Sequence, residues 1–70
     1  MVITTIKKNE KEKINVSIEE YRGSTFIDLR VYWQDEAGEW KPSRKGIALS
    51  DETIDPVIKA LQKASKALEG

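Results

Sequence analysis

The sequence contains no cysteine and no histidine among its 70 residues. A disulfide framework is therefore excluded, and so is an ordinary zinc site, because thiolate and imidazole groups are the usual zinc ligands in proteins. No apolar run reaches the roughly 20 residues that a transmembrane helix needs, and no apolar signal-peptide region lies at the start. We expect an intracellular protein with no membrane contact, no metal and no cofactor.

A net charge is absent as well, because 12 basic residues balance 12 acidic ones. This balance argues against attraction of the whole molecule to nucleic acid, but binding depends on where the charges lie. Basic residues gather in residues 7–13 and 41–45, whereas acidic residues gather in residues 35–39 and 51–55. The charge is segregated, so a local basic surface is compatible with the sequence.

The chain is too short for a large core, and residues 1–70 form a single domain. A domain of this size buries only about 60% of its unfolded surface, and ordering costs about 1.5 kcal/mol per residue. With no disulfide or metal to compensate, oligomerisation is the remaining common source of stability. We therefore expect a homodimer.

Several segments have the composition and alternation of β-strands. Residues 2–7 predict an edge strand or an N-terminal arm, residues 8–13 a solvated loop, and residues 14–22 a half-buried strand. Gly23 permits a tight reversal into a central strand over residues 25–33, and residues 35–38 predict a type I turn that ends in a left-handed glycine. A last strand over residues 39–49 contains Pro42, so it must lie at an edge, or be bulged or bent there.

A helix follows, and Pro56 leaves its start open. One solution is a short turn over residues 51–54, with Asp55 as the cap and Pro56 at the first helical position; the other is a kinked helix from Asp51. Either helix extends to about Leu68 and has one apolar face, which can cover a sheet or pair with its twin. The apolar residues expected at the dimer interface are Ile54, Val57, Ile58, Leu61 and Leu68. The order of elements predicts an α+β fold, in which three or four antiparallel strands precede one helix.

The central strand is mixed on both sides. Alternation places Ile27, Leu29, Val31 and Trp33 on one side, and Phe26, Asp28, Arg30 and Tyr32 on the other. Aromatic and cationic side chains together favour a flat, negatively charged partner. Trp33 is either a core residue or turned outward by a bulge, core packing is the favoured interpretation of Trp40, and Asp28 is expected to pair with Arg30 or another cation.

Four motifs, VSIEEYRG at residues 16–23, FIDLRVYW at 26–33, an acidic turn ending in Gly38 and KPSRKGIALS at 41–50, make the chain similar to the DNA-binding domain of the positive cofactor four family. The resemblance implies a homodimer of strongly curved four-stranded antiparallel sheets, each followed by one C-terminal helix. It also implies binding of single-stranded DNA without sequence specificity, extending to melted duplex, and no enzymatic activity. RNA stays open as a ligand, because no feature of the sequence identifies a reader of the 2′-hydroxyl. The residues placed at the nucleic acid are Tyr21, Arg22, Arg30, Tyr32, Trp33, Lys41, Arg44 and Lys45.

The sequence departs from the animal members of that family in three ways. Ser43 replaces a glycine, Ser24 replaces a lysine, and the serine- and lysine-rich tail has no counterpart. We therefore expect a free-standing core of the bacterial or phage type. A bacterial protein would lie in the cytoplasm or nucleoid, and a phage protein in the cytoplasm of its host. Single-strand binding in transcription, replication, recombination or repair is carried over, whereas coactivation is not.

Two other classes of function stay open on the residues alone. A protein-interaction module with little nucleic-acid affinity would use the strand edge or the helix face, with replication or transcription proteins as partners. An enzyme is the weakest alternative, because no nucleophile with a base and an orienting group is identifiable.

Overall fold

Four strands and one helix make up the computed structural model, which describes all 70 residues. The elements are β1 (Val2–Lys7), β2 (Glu12–Tyr21), β3 (Ser24–Gln34), β4 (Trp40–Leu49) and α1 (Asp51–Glu69). The strands form one antiparallel sheet in the order β1-β2-β3-β4, so each strand pairs with its neighbours in sequence. The predicted α+β fold, with four antiparallel strands before a single helix, is confirmed.

Strand β2 begins earlier than the alternation of apolar residues indicates. The chain reverses just before it, where the N–H groups of Lys8 and Asn9 both donate to the carbonyl of Glu12, each at 3.1 Å. Glu12 then pairs with Trp33 in the ladder. The solvated loop predicted over residues 8–13 therefore ends earlier, before Glu12. Charged residues can belong to the end of a sheet because their side chains stay hydrated while their backbone groups pair.

The turn between β3 and β4 has the predicted form. The N–H of Gly38 donates to the carbonyl of Asp35 at 3.0 Å, and Gly38 has a φ of 84°. The Asp35 carboxylate accepts hydrogen bonds from the N–H groups of Ala37 and Glu39, both at 2.9 Å. Asp35 thus fixes the turn through its side chain and its backbone, as expected of aspartate at the first turn position.

Strand β4 lies at an edge and is bulged next to Pro42, which confirms the two structural expectations for this proline. Arg30 pairs with Gly46 and Tyr32 pairs with Pro42, so residues 43–45 of β4 lie opposite the single residue Val31. A bulge of this kind bends its strand and increases the local twist. Strand β1, at the other edge, has a second irregularity between Val2 and Thr4.

Helix α1 begins at Asp51 and continues through Pro56, so a start at Pro56 with Asp55 as the cap is wrong and the alternative start at Asp51 is right. The N–H groups of Thr53 and Ile54 both donate to the Ser50 carbonyl, at 3.1 and 2.9 Å, and close the first turn. The proline ring removes only the hydrogen bond to the exposed carbonyl of Glu52, which water can replace. The helix is not apolar enough to cross a membrane.

A single chain lacks a closed core. Only Leu49, Asn15 and Ser17 are buried, and no residue of α1 is. The accessible surface is 5836 Å², against about 4,450 Å² for an ordinary monomer of this mass. The radius of gyration is 14.0 Å, against about 11 Å for a compact domain of this length. Helix α1 meets the sheet mainly near β4, and nearly all apolar side chains of both elements stay exposed or half-buried.

Candidate nucleic-acid interface

The ladder register divides the sheet into two faces, since residues directly opposite each other point to the same side. We call one the apolar face; it carries Ile6, Ile14, Val16, Ile18, Ile27, Leu29, Val31, Trp33, Ile47 and Leu49. The other is the polar face; it carries Lys13, Asn15, Ser17, Phe26, Asp28, Arg30, Tyr32 and Gly46. Asn15 and Ser17 at its centre are only 8% and 5% exposed. Short polar side chains are therefore packed closely at the centre of the polar face.

Arg30 is anchored at the centre of the polar face. Its Nε and Nη2 donate to the two carboxylate oxygens of Asp28, each at 3.0 Å, and its Nη1 donates to the Ser43 carbonyl at 2.9 Å. The hydrogen bonds to Asp28, and then the charge of that carboxylate, raise the pKa of Arg30. The expected Asp28–Arg30 pair is confirmed. Two of the five N–H donors of the guanidinium have no protein partner, so they are available to a ligand.

The β4 bulge presents two cations without an acidic partner. Ser43 stabilises the bulge, because its hydroxyl donates to the Val31 carbonyl at 2.7 Å and accepts from the Lys45 N–H at 3.0 Å. Arg44 and Lys45 are exposed, and neither belongs to any of the ion pairs of the molecule. The serine that replaces the family's usual glycine thus has a structural role at the base of these cations.

The β2–β3 turn presents an aromatic ring with a cation beside it. Arg22 and Gly23 both have left-handed backbones, with φ of 52° and 82°, so Arg22 belongs to the turn and not, as predicted, to the strand. This conformation costs about 1–2 kcal/mol for a residue other than glycine. The Arg22 guanidinium carbon lies 5.2 Å from the Tyr21 ring centroid, and Tyr21 is 64% exposed. The turn therefore holds both groups at the surface.

A second aromatic–cation pair lies at the opposite end of β3. Lys41 pairs with Trp33 in the ladder, and its Nζ lies 5.8 Å from the Trp33 ring centroid and 2.9 Å from an Asp35 carboxylate oxygen. Trp33 is on the apolar face, as strict alternation predicts, but it is 42% exposed in the single chain. Trp33 is therefore a surface residue of the single chain although no bulge turns it to the other face.

Trp40 is also a surface residue, so its predicted core position is wrong for the single chain. The side chain is 37% exposed, and the Nζ of Lys13 lies 4.4 Å from its ring centroid. Trp40 opens the edge strand β4, which has no further strand beside it to cover the ring.

The predicted contact residues do not form one compact patch. Tyr21, Arg30 and Tyr32 lie on the polar face, whereas Trp33 and Lys41 lie on the apolar face. The two ends of β3 are about 33 Å apart at the usual rise of a strand. A ligand that reaches all of these groups must follow the strands and pass around the edge at β4. A flexible polymer can do so, whereas a compact small molecule cannot.

Lys13 has a place on this surface that the sequence analysis missed. The sequence predicts a solvated loop at Lys13, but Lys13 pairs with Tyr32 and lies on the polar face in line with Asn15 and Ser17. Its spacing of two residues from Asn15, in phase with the alternation of Ile14 and Val16, is the signal that identifies it as a strand residue.

Asp35 gives a testable pH dependence, since the hydrogen bond from Lys41, followed by that from the Glu39 N–H, lowers its pKa below the ordinary 3.8. A lowered pKa contributes stability above the ordinary value, and that contribution is lost as the pH falls through the folded-state value. Asp35→Asn should lack the contribution at every pH. Its urea midpoint is expected to lie below that of the wild type at neutral pH, and the two should converge in acid below pH 3.8. A constant difference across the range would show that Asp35 is not the titrating group; Glu12, whose pKa is also lowered, first by Asn9, is common to both proteins.

Comparisons with known proteins all point to one family. Residues 8–60 match the family described as Transcriptional Coactivator p15 (PC4). The RNA polymerase II transcriptional coactivator SUB1 of Saccharomyces cerevisiae is 35% identical over 54 residues, which are 76% of this chain and 18% of that protein. The coactivator KELP of Arabidopsis thaliana is 33% identical over 61 residues, or 83% of this chain and 36% of that protein. The chain thus spans well under half the length of these two relatives.

Solved structures agree. A PC4 homologue from Burkholderia pseudomallei superposes with a TM-score of 0.86 at 32% identity, covering 93% of this chain and 88% of that one. The bacteriophage T5 homologue of PC4 superposes with a TM-score of 0.70 at 21% identity, covering 100% and 96%, which shows a shared fold. The sheet with its bulged edge, the helix and the matched residues lead to one conclusion: the chain belongs to the PC4 family of transcriptional coactivators.

Proposed function

We propose that the protein is a homodimer that binds single-stranded DNA without sequence specificity. The observation that carries this function is the combination of exposed aromatic rings with cations that have no acidic partner. Arg22 lies beside the exposed ring of Tyr21, and Arg44 and Lys45 add two exposed cations on the bulge. Proteins that bind single strands without specificity combine these two kinds of side chain.

The mechanism has a stacking part and an electrostatic part. Every base has a π-face, so stacking on Tyr21 or Trp33 is tolerant of sequence and contributes about 1–3 kcal/mol per base. Arg22, Arg44 and Lys45 are placed to contact phosphates, and Lys41 can do so by exchanging Asp35 for a phosphate. With four phosphates neutralised per subunit, the logarithm of affinity should fall with the logarithm of salt concentration at a slope near −3. This dependence is expected even though the net charge of the chain is zero.

The homodimer is supported by the surface that one chain leaves uncovered. The single chain exposes roughly 1,400 Å² more than a monomer of its mass ordinarily does, which is the amount that a large obligate interface removes from each partner. Along the helix, Ile58, Leu61 and Leu68 are 43%, 59% and 88% exposed, whereas Ile54 and Val57 are half-buried. A partner chain on this stripe and on the part of the apolar face around Ile27, Leu29 and Val31 would supply the missing core, and would leave Trp33 uncovered at the end of β3.

The relatives support a nucleic-acid role in general terms. SUB1 and KELP are named as transcriptional coactivators, and the phage T5 homologue is described as implicated in recombination-dependent DNA replication. Transcription, replication, recombination and repair all expose single strands, so any of them supplies the proposed ligand. The proposed interface needs only such a single strand, whatever process releases it.

A fluorescence titration tests the proposal. Binding of a labelled thymidine oligomer is followed by anisotropy, beside the matched duplex and over a series of salt concentrations. We expect the single strand to bind more tightly than the duplex, with a salt slope near −3 per subunit. Trp33→Ala and Arg44→Ala should each weaken binding about 5- to 150-fold, which corresponds to about 1–3 kcal/mol.

The matched control is Lys59→Ala, which removes an exposed cation from the polar side of α1, away from the proposed path. This variant should bind as the wild type does. Equal losses in Lys59→Ala and Arg44→Ala would reduce the interaction to non-specific charge attraction. No binding of the single strand at low salt would leave the exposed apolar face as a protein-docking surface and would remove the nucleic-acid function.

A further inference from the structure

A cleft of about 290 Å³ lies where the β1–β2 turn meets the start of β4. Trp40 is the only hydrophobic residue among its lining side chains, which otherwise come from β1, the turn and β2. The Trp40 ring is partly open to solvent, and Lys13 lies over it. The cleft thus contains an aromatic surface and a cation, the two groups from which the proposed interface is built.

The charges of the cleft favour an anion near Lys13. Glu10 is paired with Lys7 at 3.3 Å, and Glu12 is paired with Lys8 at 3.7 Å, so both carboxylates are balanced. Lys13 forms no ion pair, and its ammonium group lies over the Trp40 ring. One mobile positive charge therefore remains beside the aromatic surface.

The cleft continues the polar face. Lys13 lies opposite Tyr32, and Trp40 lies opposite Gln34, which is two residues further along the same strand. Trp40 is therefore a diagonal neighbour of Tyr32 on one face, at a backbone separation of about 7–8 Å, within reach of aromatic side chains. A nucleic-acid strand that passes over the side chains of Arg30 and Tyr32 therefore reaches Trp40 next.

We propose that Trp40 and Lys13 form an additional nucleotide subsite at this end of the polar face. One nucleobase stacks on the Trp40 ring and takes the place of the Lys13 ammonium, which moves to the adjacent phosphate. The flexible four-carbon chain of lysine permits this movement. The subsite rests on the proposed single-strand binding, which it extends by one base and one phosphate.

Two variants with a single tryptophan test the subsite directly. Trp33→Phe leaves Trp40 as the only tryptophan, and Trp40→Phe leaves Trp33; both retain an aromatic ring at the changed position. Each is titrated with a labelled deoxycytidine oligomer longer than the 40 Å length of the molecule. Anisotropy reports binding, and tryptophan emission reports base contact at the remaining indole. We expect quenching of Trp40 emission in Trp33→Phe over the same concentration range as the rise in anisotropy.

Affinity measurements give a second readout. Trp40→Ala should weaken binding of the long oligomer about tenfold, in the range for one stacked base. Lys13→Met keeps the aliphatic stem but removes the charge, so the salt slope should become shallower by about 0.7 per subunit. Circular dichroism melting curves establish that each variant is folded at the titration temperature.

The outcomes separate the subsite from the general function. A rise in anisotropy with unchanged Trp40 emission in Trp33→Phe would overturn the subsite and leave single-strand binding intact. No rise in anisotropy with the wild-type protein would overturn both. Quenching of Trp40 together with a shallower salt slope in Lys13→Met would establish the subsite.

Discussion

A protein carrying Leu61→Asp is expected to lose its dimeric state and, with it, its cooperative unfolding transition. Leu61 lies in the middle of the helical stripe and is 59% exposed in the single chain. At a truly exposed site this substitution would change the free energy of unfolding by no more than about 0.5 kcal/mol. In a dimer that buries the stripe, it removes two leucines and so costs about 3–6 kcal/mol per dimer. Two unpaired carboxylates placed in an apolar contact add to this cost.

The consequence for folding is large because one chain has so little core. Leu49 is the only buried apolar residue, so a separated chain retains few contacts that resist unfolding. Sedimentation equilibrium should give twice the chain mass of 8.0 kDa for the wild type and the single mass for the variant. The wild-type melting temperature should also rise with protein concentration, as it does when folding and association are coupled.

The control is Gln62→Asp, which introduces the same side chain at the next position, on the polar side of α1. It should keep the wild-type mass and melting curve. A Leu61→Asp protein with those same properties would show that the stripe is not an interface. A wild-type melting temperature independent of concentration would remove the dimer itself.

Local patterns predict most of the fold because the decisive constraints act over short distances. The two-residue period around Ile14, Val16 and Ile18 predicts β2, and Gly23 marks the reversal because glycine adopts a left-handed backbone without strain. Pro42 lacks an N–H group, which is enough to place β4 at an edge or at a bulge. These inferences need no knowledge of the partner strands.

The start of the helix depends on an energy difference that composition does not reveal. Asp55 and Pro56 form a good start signal, but Ser50, Thr53 and the acidic first turn form another, which begins five residues earlier. Starting at Asp51 adds a further turn of hydrogen bonds and costs one bond at an exposed carbonyl. The longer helix is therefore favoured although the proline lies inside it.

The residue types of the candidate site are predictable, but their grouping is not. Trp40 meets Lys13 only because two hairpins and a bulge set the register of three strands, and an error of one residue in any of them would reverse the faces. The anchoring of Arg30 to Ser43 depends on the same bulge. Sequence alone therefore predicts which side chains are candidates for a nucleic-acid contact, whereas the structure shows where these side chains lie relative to one another.

The second large effect is expected for Gly46→Ala, at the point where β4 leaves the bulge. A Cβ atom built on Gly46 would lie 2.8 Å from the guanidinium carbon of Arg30 and 2.8 Å from the carbonyl oxygen of Leu29. Side-chain atoms essentially never approach so closely, and the Leu29 oxygen belongs to the backbone. Either the strands separate at this point or the Arg30 side chain leaves its position.

Both responses destabilise the protein. Moving Arg30 breaks its hydrogen bonds to Asp28 and Ser43, and separating the strands breaks ladder bonds, so we expect a loss of about 2–4 kcal/mol in the free energy of unfolding. Urea denaturation of Gly46→Ala beside the wild type measures it. Single-strand affinity should fall as well, since the bulge that carries Arg44 and Lys45 is held by the same hydrogen bonds.

A double-mutant cycle identifies the source of the loss. Arg30→Ala removes the guanidinium, so adding Gly46→Ala to that background should cost less than it does in the wild type. The coupling is expected to be at least about 1 kcal/mol, as for residues in direct contact. A Gly46→Ala protein with the wild-type urea midpoint would contradict the close approach altogether. The same loss in both backgrounds would assign the cost to the Leu29 carbonyl and not to displacement of the Arg30 side chain.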